Sequence, residues 1–244
     1  MTSMPYEMLI LAGGFGTRLR AVVNDVPKPM APVAGRPFLE YLMDYWIGQG
    51  VSRFVLSLGY KGDLIQAHFG NSYNHAEISY IQESMPLGTG GAVRMALEEV
   101  LWNNAFILIT NGDTWFEVDL PSLSSDAEHY VKPISMALKL MEDNNRYGGV
   151  AVQNGLVTDF GVQEKDNCLI NGGCYLIDVK FLSEFMRQLP ESFSFEDEVL
   201  KPFAFNNQLA ASMQNNVFLD IGIPEDYQKA AEVLSNYKFE KGRI

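Results

Sequence analysis

Residues 8–19 read Met8-Leu9-Ile10-Leu11-Ala12-Gly13-Gly14-Phe15-Gly16-Thr17-Arg18-Leu19. The apolar run is strand-sized. The glycines after it let the chain turn sharply with backbone amides aimed inward and no side chain blocking a phosphate. On the glycines alone, a tight strand-to-helix turn that binds nothing is an equal alternative. Arg18 tips the balance, because a fixed cation directly after a ring of amides is what a triphosphate needs. The turn is a poor dinucleotide fingerprint: Leu19 stands at the third glycine position, and no acidic residue ends a second strand about 20 residues on. A Gly-Lys-Ser/Thr run is missing too, which excludes the P-loop.

Working outward, Met8–Ala12 is the first strand. Pro37 opens a helix in which Phe38, Leu42, Tyr45 and Trp46 recur at helical spacing until Gly50. Arg53–Leu58 is the next strand, Asp63–Phe69 a helix, Ala76–Ile81 a strand, Gly91–Leu101 a helix and Ala105–Thr110 a strand. This β-α-β-α-β-α-β order predicts an α/β fold with a mainly parallel sheet flanked by helices. After Asp113 the pattern loosens into α+β elaboration. Strands are expected at Ile134–Leu140, Val150–Val152, Leu169–Ile177 and Val217–Leu219, and a helix at Val179–Leu189. Ser194 with Asp197 suggests a capping box for a short helix that stops before Pro202. Pro224 opens the last helix, through Leu234.

The 244 residues are 47% apolar and 20% charged, an ordinary globular mix with enough chain for one core and a single domain. Eighteen Lys and Arg against thirty Asp and Glu give a net charge of -12, which would repel nucleic acid. No apolar run approaches the roughly 18 residues of a membrane span, so no membrane partner is expected. The start, MTSMPYEMLILAGG, lacks a basic leader and reads as strand and turn rather than signal, so the cytoplasm is the expected compartment. Cys168 and Cys174 fit neither a metal pair nor a disulfide framework and are expected as buried thiols. His68, His75 and His129 have no metal-ligand spacing, so a metal here would sit on carboxylates.

Ten residues after Arg18 comes Lys28 between Pro27 and Pro29, which fix the backbone around it and push the intervening residue toward an extended conformation. Alone it would be a solvated loop charge. Paired with the glycine turn it reads as a second phosphate clamp.

The stretch LAGGFGTRLRAVVNDVPKPMAPVAGRPFLEYL closely resembles the start of the sugar-phosphate nucleotidyltransferases, with Arg20 and Val22 where that family often carries Pro and Thr. Further marks of the resemblance follow in order. They are Gln82 with Pro86-Leu87-Gly88-Thr89-Gly90-Gly91-Ala92, Asn111-Gly112-Asp113, Tyr147-Gly148, Glu164-Lys165, Asn171-Gly172-Gly173 and Asp220, covering nearly the whole chain. The resemblance implies a Rossmann-like mixed sheet, the nucleotide-diphospho-sugar transferase fold, with a nucleotide-binding half (1–115) and a sugar-phosphate-binding half (116–244).

It also implies roles. Leu11, Ala12, Gly13, Gly14, Gly16 and Thr17 would hold base and phosphates, with Arg18 on the departing pyrophosphate and Lys28 near the α-phosphate. Gln82 and Gly88 would read the base. Asp113 and Asp220 would hold Mg²⁺, which suits two hard oxygen ligands at strand ends completed by triphosphate oxygens. Each Asp alone would be ordinary, as a turn cap or a loop residue. Gly148, Glu164, Lys165 and Asn171 would form the sugar-phosphate site, although Asp166 replaces the proline that usually follows the Glu-Lys pair. Tyr147 or Trp115 would be available to floor a sugar.

The implied reaction is in-line attack by a sugar 1-phosphate oxygen on the α-phosphorus of a nucleoside triphosphate, expelling pyrophosphate. Catalysis is then positioning and charge neutralisation by Arg18, Lys28 and Asp113 with its metal, with no general base. Within the family the run through Trp46, together with PLGTGGAV, is most similar to guanylyltransferases acting on D-glycero-α-D-manno-heptose 1-phosphate, in capsule or surface polysaccharide synthesis. Relatives using mannose or glucose 1-phosphate or phosphocholine with other triphosphates share the same core motifs. A catalytically silent nucleotide-sugar sensor is a further alternative, one expected to lose Arg18, Lys28 or an Asp, all of which are present. A homodimer is open to the chain by family analogy, with no interface marked in its sequence.

Overall fold

A computed structural model of the chain describes residues 6–14, 25–143, 146–163, 166–235 and 237. In chain order the elements begin with β1 (Tyr6–Leu11), a 3-10 turn at Lys28–Met30, β2 (Pro32–Val33), β3 (Arg36–Pro37), α1 (Phe38–Gly48), β4 (Val51–Leu58), α2 (Gly62–Phe69), β5 (Ser72–Tyr73), β6 (Ala76–Gln82) and α3 (Gly88–Glu99). There follow β7 (Phe106–Asn111), β8 (Thr114–Phe116), α4 (Leu120–Tyr130), β9 (Ile134–Asp143), β10 (Gly149–Gln153), β11 (Leu156–Val162), β12 (Asp166–Asp178) and α5 (Val179–Met186). A π-helical turn at Glu196–Leu200 runs into α6 (Lys201–Phe205), and β13 (Leu209–Gln214), β14 (Phe218–Asp220) and α7 (Pro224–Ser235) complete the chain.

These elements form two units. The first draws on the described residues of Met1–Pro86, Thr110–Trp115 and Leu219–Ile244, the second on Leu87–Ile109 and Phe116–Phe218.

In the first unit β1, β4 and β6 run parallel, with Met8 beside Phe54 and Phe54 beside Ile78. Parallel neighbours need a crossover, and α1 and α2 supply the two between these strands. Met8, Leu9 and Ile10 are all fully buried, the reason β1 reads as an unbroken apolar run rather than an alternation. In α1 the buried Phe38, Leu42 and Trp46 recur every fourth residue, and the helix gives out at Gly50, whose φ of +97° suits glycine. The three strands end in register. Ala12 N–H donates to Ser57 O at 2.9 Å and Glu83 N–H to Leu58 O at 2.9 Å, so the turns after β1, β4 and β6 leave from one edge.

In the second unit β9 pairs antiparallel with β12 and parallel with β13, and β10 and β11 form a hairpin. That hairpin turns at Asn154-Gly155, where φ is +52° and +74°, the backbone a two-residue turn with both residues left-handed demands. β12 is interrupted by a bulge between Asn171 and Tyr175 that takes in Gly172 and Gly173.

The expected elements of the first half are all present, with α3 starting at Gly88 rather than Gly91. Two expectations need correction. The helix opened by Ser194 does not stop before Pro202: Ser194 Oγ accepts from Asp197 N–H at 3.2 Å, and the π-helical turn at Glu196–Leu200 carries helical backbone straight into α6 and past Pro202. Trp115 cannot floor a sugar, since it is fully buried against the rings of Tyr45 and Tyr237, each 5.1 Å away. Cys168 and Cys174 are buried thiols as expected.

Candidate active site

The prolines on either side of Lys28 fix its backbone, but in a 3-10 turn rather than in the extended conformation expected of a residue before proline. Pro27 holds an extended conformation (φ -65°, ψ 152°), Pro29 is buried, and the intervening residue is locked in the 3-10 turn. The Lys28 side chain is 13% exposed, and its Nζ lies 2.6 Å from Asp113 Oδ2 and 3.6 Å from Asp220 Oδ1. One ammonium is thus shared by two carboxyl groups drawn from chain segments far apart in sequence.

Backbone contacts set each carboxylate. Asp113 follows Gly112, whose N–H donates to Leu11 O at 2.9 Å, and a Cβ on Gly112 would stand 2.9 Å from that same oxygen and 3.3 Å from Ala12 Cα. Only glycine lets the chain run this close to the end of β1, which brings the Asn111-Gly112-Asp113 segment against Leu11 and Ala12. Asp220 is fastened to the same segment through Ile221 N–H, which donates to Asp113 O at 3.1 Å. Its Oδ1 accepts from Gly222 N–H at 2.8 Å. A Cβ on Gly222 would overlap Lys28 Nζ, so that glycine is what admits the ammonium. Sequence reasoning missed Gly222; the signal was a glycine two residues after a strand-end Asp. Burial pushes the Asp220 carboxyl above its ordinary range and the Asp113 carboxylate adds to this, while Lys28 and Gly222 N–H oppose it without cancelling it.

Leu11 and Ala12 end β1, Gly13 is partly exposed and Gly14 is exposed with nothing near its missing Cβ. Gly13 packs on Gly59, where a Cβ would overlap Gly13 O. Gln82, at the end of β6, donates from Nε2 to Gly59 O at 3.3 Å.

Gly88, Gly148 and Asn171 belong to the second unit. Gly88 has a φ of +71°, and a Cβ there would press within 2.5 Å of Phe193 O, so packing against residue 193 explains the glycine. Gly148 is exposed. Asn171 Oδ1 accepts from Gly173 N–H at 3.0 Å and from the Tyr175 hydroxyl at 2.9 Å, while its Nδ2 donates to Glu196 Oε2 at 3.4 Å. A Cβ on Gly172 would overlap the Phe116 ring, so the Asn-Gly-Gly run has a packing reason of its own. Gly16, Thr17, Arg18 and Arg20, and likewise Glu164 and Lys165, lie outside the described residues.

A lysine clamped between two strand-end carboxylates, by the carboxyl end of a strand in a parallel sheet, is where open α/β sheets take their ligands. The family model described as Nucleotidyl transferase matches residues 7–236. The chain belongs to this family. A D-glycero-alpha-D-manno-heptose 1-phosphate guanylyltransferase of Aneurinibacillus thermoaerophilus is 40% identical over 234 residues, covering 95% of this chain and 99% of that protein. A protein of the same name from Campylobacter jejuni is 40% identical over 223 residues, covering 91% and 96% respectively. The crystal structure of HddC from Yersinia pseudotuberculosis complexed with GMP-PN superposes with a TM-score of 0.81 at 35% identity, covering 93% of this chain and 99% of that one. The nucleotidyl transferase therefore has the nucleotide-diphospho-sugar transferase fold expected from its sequence, a mixed sheet with flanking helices.

Nucleotidyl transferases of this family generally use a divalent metal. Among the described residues no three His, Cys, Asp or Glu side chains gather as a complete ligand set. Asp113 and Asp220 do fit the partial set such an ion needs when a triphosphate supplies the remaining oxygens, since both are hard donors and, among the described residues, share one cation. No helix among the described residues is long and apolar enough to cross a membrane.

Proposed function

We propose that the protein transfers a guanylyl group from GTP to D-glycero-α-D-manno-heptose 1-phosphate, releasing pyrophosphate and giving a GDP-heptose for capsule or surface polysaccharide synthesis. The names of two relatives 40% identical along nearly their whole length support the donor and the acceptor. The observation that carries the chemistry is the Lys28 ammonium held between Asp113 and Asp220.

In this reading a phosphate oxygen of the sugar 1-phosphate forms a bond to the α-phosphorus of GTP as the bond to the bridging oxygen of pyrophosphate breaks in line. The attacking phosphate is already ionised, so no residue needs to remove a proton. An ammonium has three donors. With one donated to Asp113, and Asp220 paired by charge, Lys28 keeps a donor for an α-phosphate oxygen as its charge grows in the transition state. The backbone of Leu11, Ala12, Gly13 and Gly14 faces base and phosphates, joined by Gly16, Thr17 and Arg18, with Gln82 and Gly88 toward the base. Gly148, Glu164 and Lys165 take the sugar phosphate, and Asn171 serves that site by holding the Gly172-Gly173 bulge in shape. Mg²⁺ on Asp113 and Asp220, when bound, would neutralise triphosphate charge. The donor is a cytoplasmic metabolite, and the reaction belongs in that compartment.

The test is pyrophosphate release with Mg²⁺ across a panel of triphosphates and sugar 1-phosphates. GTP with the heptose 1-phosphate is expected to give the highest kcat/KM. Preference for another pair would overturn the assignment, and release from no pair would make the protein a silent binder.

A further inference from the structure

Each residue of the run Leu87–Gly91 meets one segment far along the chain, Leu189–Glu196. Phe193 N–H donates to Leu87 O at 3.0 Å, and Gly90 N–H donates to Phe193 O at 3.0 Å. The second bond satisfies an N–H in the first turn of α3, a helix whose N-cap side chain supplies no hydrogen bond. Thr89 Oγ1 accepts from Phe195 N–H at 3.0 Å. A Cβ on Gly90 would overlap the Phe193 ring, and one on Gly91 would stand 2.7 Å from Glu191 O. Together with Gly88 these glycines let the segment lie backbone to backbone against the start of α3.

Arg94 stands one turn further along that helix. Its Nη1 donates to Leu189 O and Pro190 O, both at 2.9 Å, and its Nη2 to Glu191 O at 3.0 Å. The guanidinium carbon also lies 5.5 Å from the centre of the Phe193 ring. A planar fork of donors can fix three successive carbonyls at once, which a flexible ammonium cannot do with the same precision. The far end of the segment reaches the bulge in β12. The Phe195 ring packs edge-on against Tyr175 with 5.3 Å between centroids, and Glu196 Oε2 accepts from Asn171 Nδ2 at 3.4 Å. Leu189–Glu196 therefore touches both the run that carries Gly88 and the bulge that carries Asn171.

Resting on the reading that Gly88 faces the nucleotide and the Asn171 bulge serves the sugar phosphate, we infer that Arg94 is a positioning residue for both substrates. By fixing Leu189–Glu191 it holds the whole segment in the one placement that suits both loops, so a ligand that orders one loop favours binding at the other. Such a link is reciprocal by thermodynamic necessity.

The experiment is titration calorimetry well below Tm, with guanosine 5′-(α,β-methylene)triphosphate and Mg²⁺ as one ligand and D-glycero-α-D-manno-heptose 1-phosphate as the other. The methylene bridge prevents turnover. Each Kd is measured alone and with the other ligand saturating, in the wild type, Arg94→Met, Arg94→Lys and Thr89→Val. The wild type should bind each ligand about fivefold or more tightly in the presence of the other, by the same factor in both directions. In Arg94→Met, which keeps the apolar stem, the factor should fall toward one. Arg94→Lys keeps the charge without the fork and should lie between. Thr89→Val, which removes only the acceptor for Phe195 N–H, should lower the factor as well and tests the link should Arg94→Met fail to fold. A role confined to stability would lower Tm and leave the factor unchanged, and that outcome overturns the inference. A wild type without coupling overturns it too, with no variant needed. Failure of the wild type to bind the guanine nucleotide at all would instead sink the earlier reading of the donor.

Discussion

The Lys28 cluster of the first unit and the Asn171 bulge of the second both gather polar side chains, yet they are built in opposite ways. Lys28, Asp113 and Asp220 come from segments far apart in sequence and meet charge to charge, each fixed by a proline or glycine beside it. Asn171 binds within its own strand, to Gly173 and Tyr175, with Glu196 on its amide nitrogen. The first arrangement concentrates charge where a ligand needs it. The second satisfies buried donors of the fold. Polar residues in matching motifs can therefore differ in whether they hold the chain or await a substrate, and the two kinds should respond differently to mutation.

The largest effect is expected at the ammonium. Lys28→Ala should lower turnover by about 10²- to 10³-fold, the loss typical of a preorganised charge acting on a developing one, while circular dichroism shows the fold intact. Gly222→Ala should approach that loss by displacing Nζ, and the double variant should be no worse than Lys28→Ala alone, because both changes remove the same interaction. Additive losses would separate Gly222 from the cluster.

Asn171→Ala should act mainly on stability. It leaves Gly173 N–H and the buried Tyr175 hydroxyl without their acceptor, a penalty of about 1–3 kcal/mol for each group, readable as a lower midpoint in urea. An unchanged midpoint with a raised KM for the sugar phosphate would move Asn171 to the substrate side of the comparison.

The smallest effect is the most diagnostic in sign. The folded Asp220 carboxyl titrates above its ordinary value of 3.8, so the folded state binds more protons and stability falls as pH rises through that window, leaving the ionised group unfavourable at neutral pH. Asp220→Asn should therefore raise Tm at pH 7 by about 1–4 °C, with the gain vanishing toward pH 3, while activity drops. A lowered Tm at neutral pH would contradict the strained pair.

Much of the first unit was legible because its strands are buried on both faces and its helix carries apolar residues every fourth position. Lys28 was legible through its two prolines. The second unit gave less away. Strand β11 was missed although Asn154-Gly155 marks its hairpin, because only Val150–Val152 stood out as apolar. Helix α4 was missed despite its cap, in which Asp119 accepts from Ser122 N–H at 3.0 Å, since Leu120, Leu123 and Ala127 are spread among polar residues. Strand β13 hides behind Ala210, Ala211 and Ser212, small residues that are buried without looking apolar enough to stand out. The packing roles of Gly88 and Gly172 and the turn of Gln82 toward Gly59 depend on partners distant in sequence, which no local pattern carries.

A crystal structure with GTP and Mg²⁺ tests the central claim most directly. The account predicts the α-phosphate within hydrogen-bond reach of Lys28 Nζ and the metal on the carboxylates of Asp113 and Asp220. A triphosphate bound away from those three side chains would contradict it.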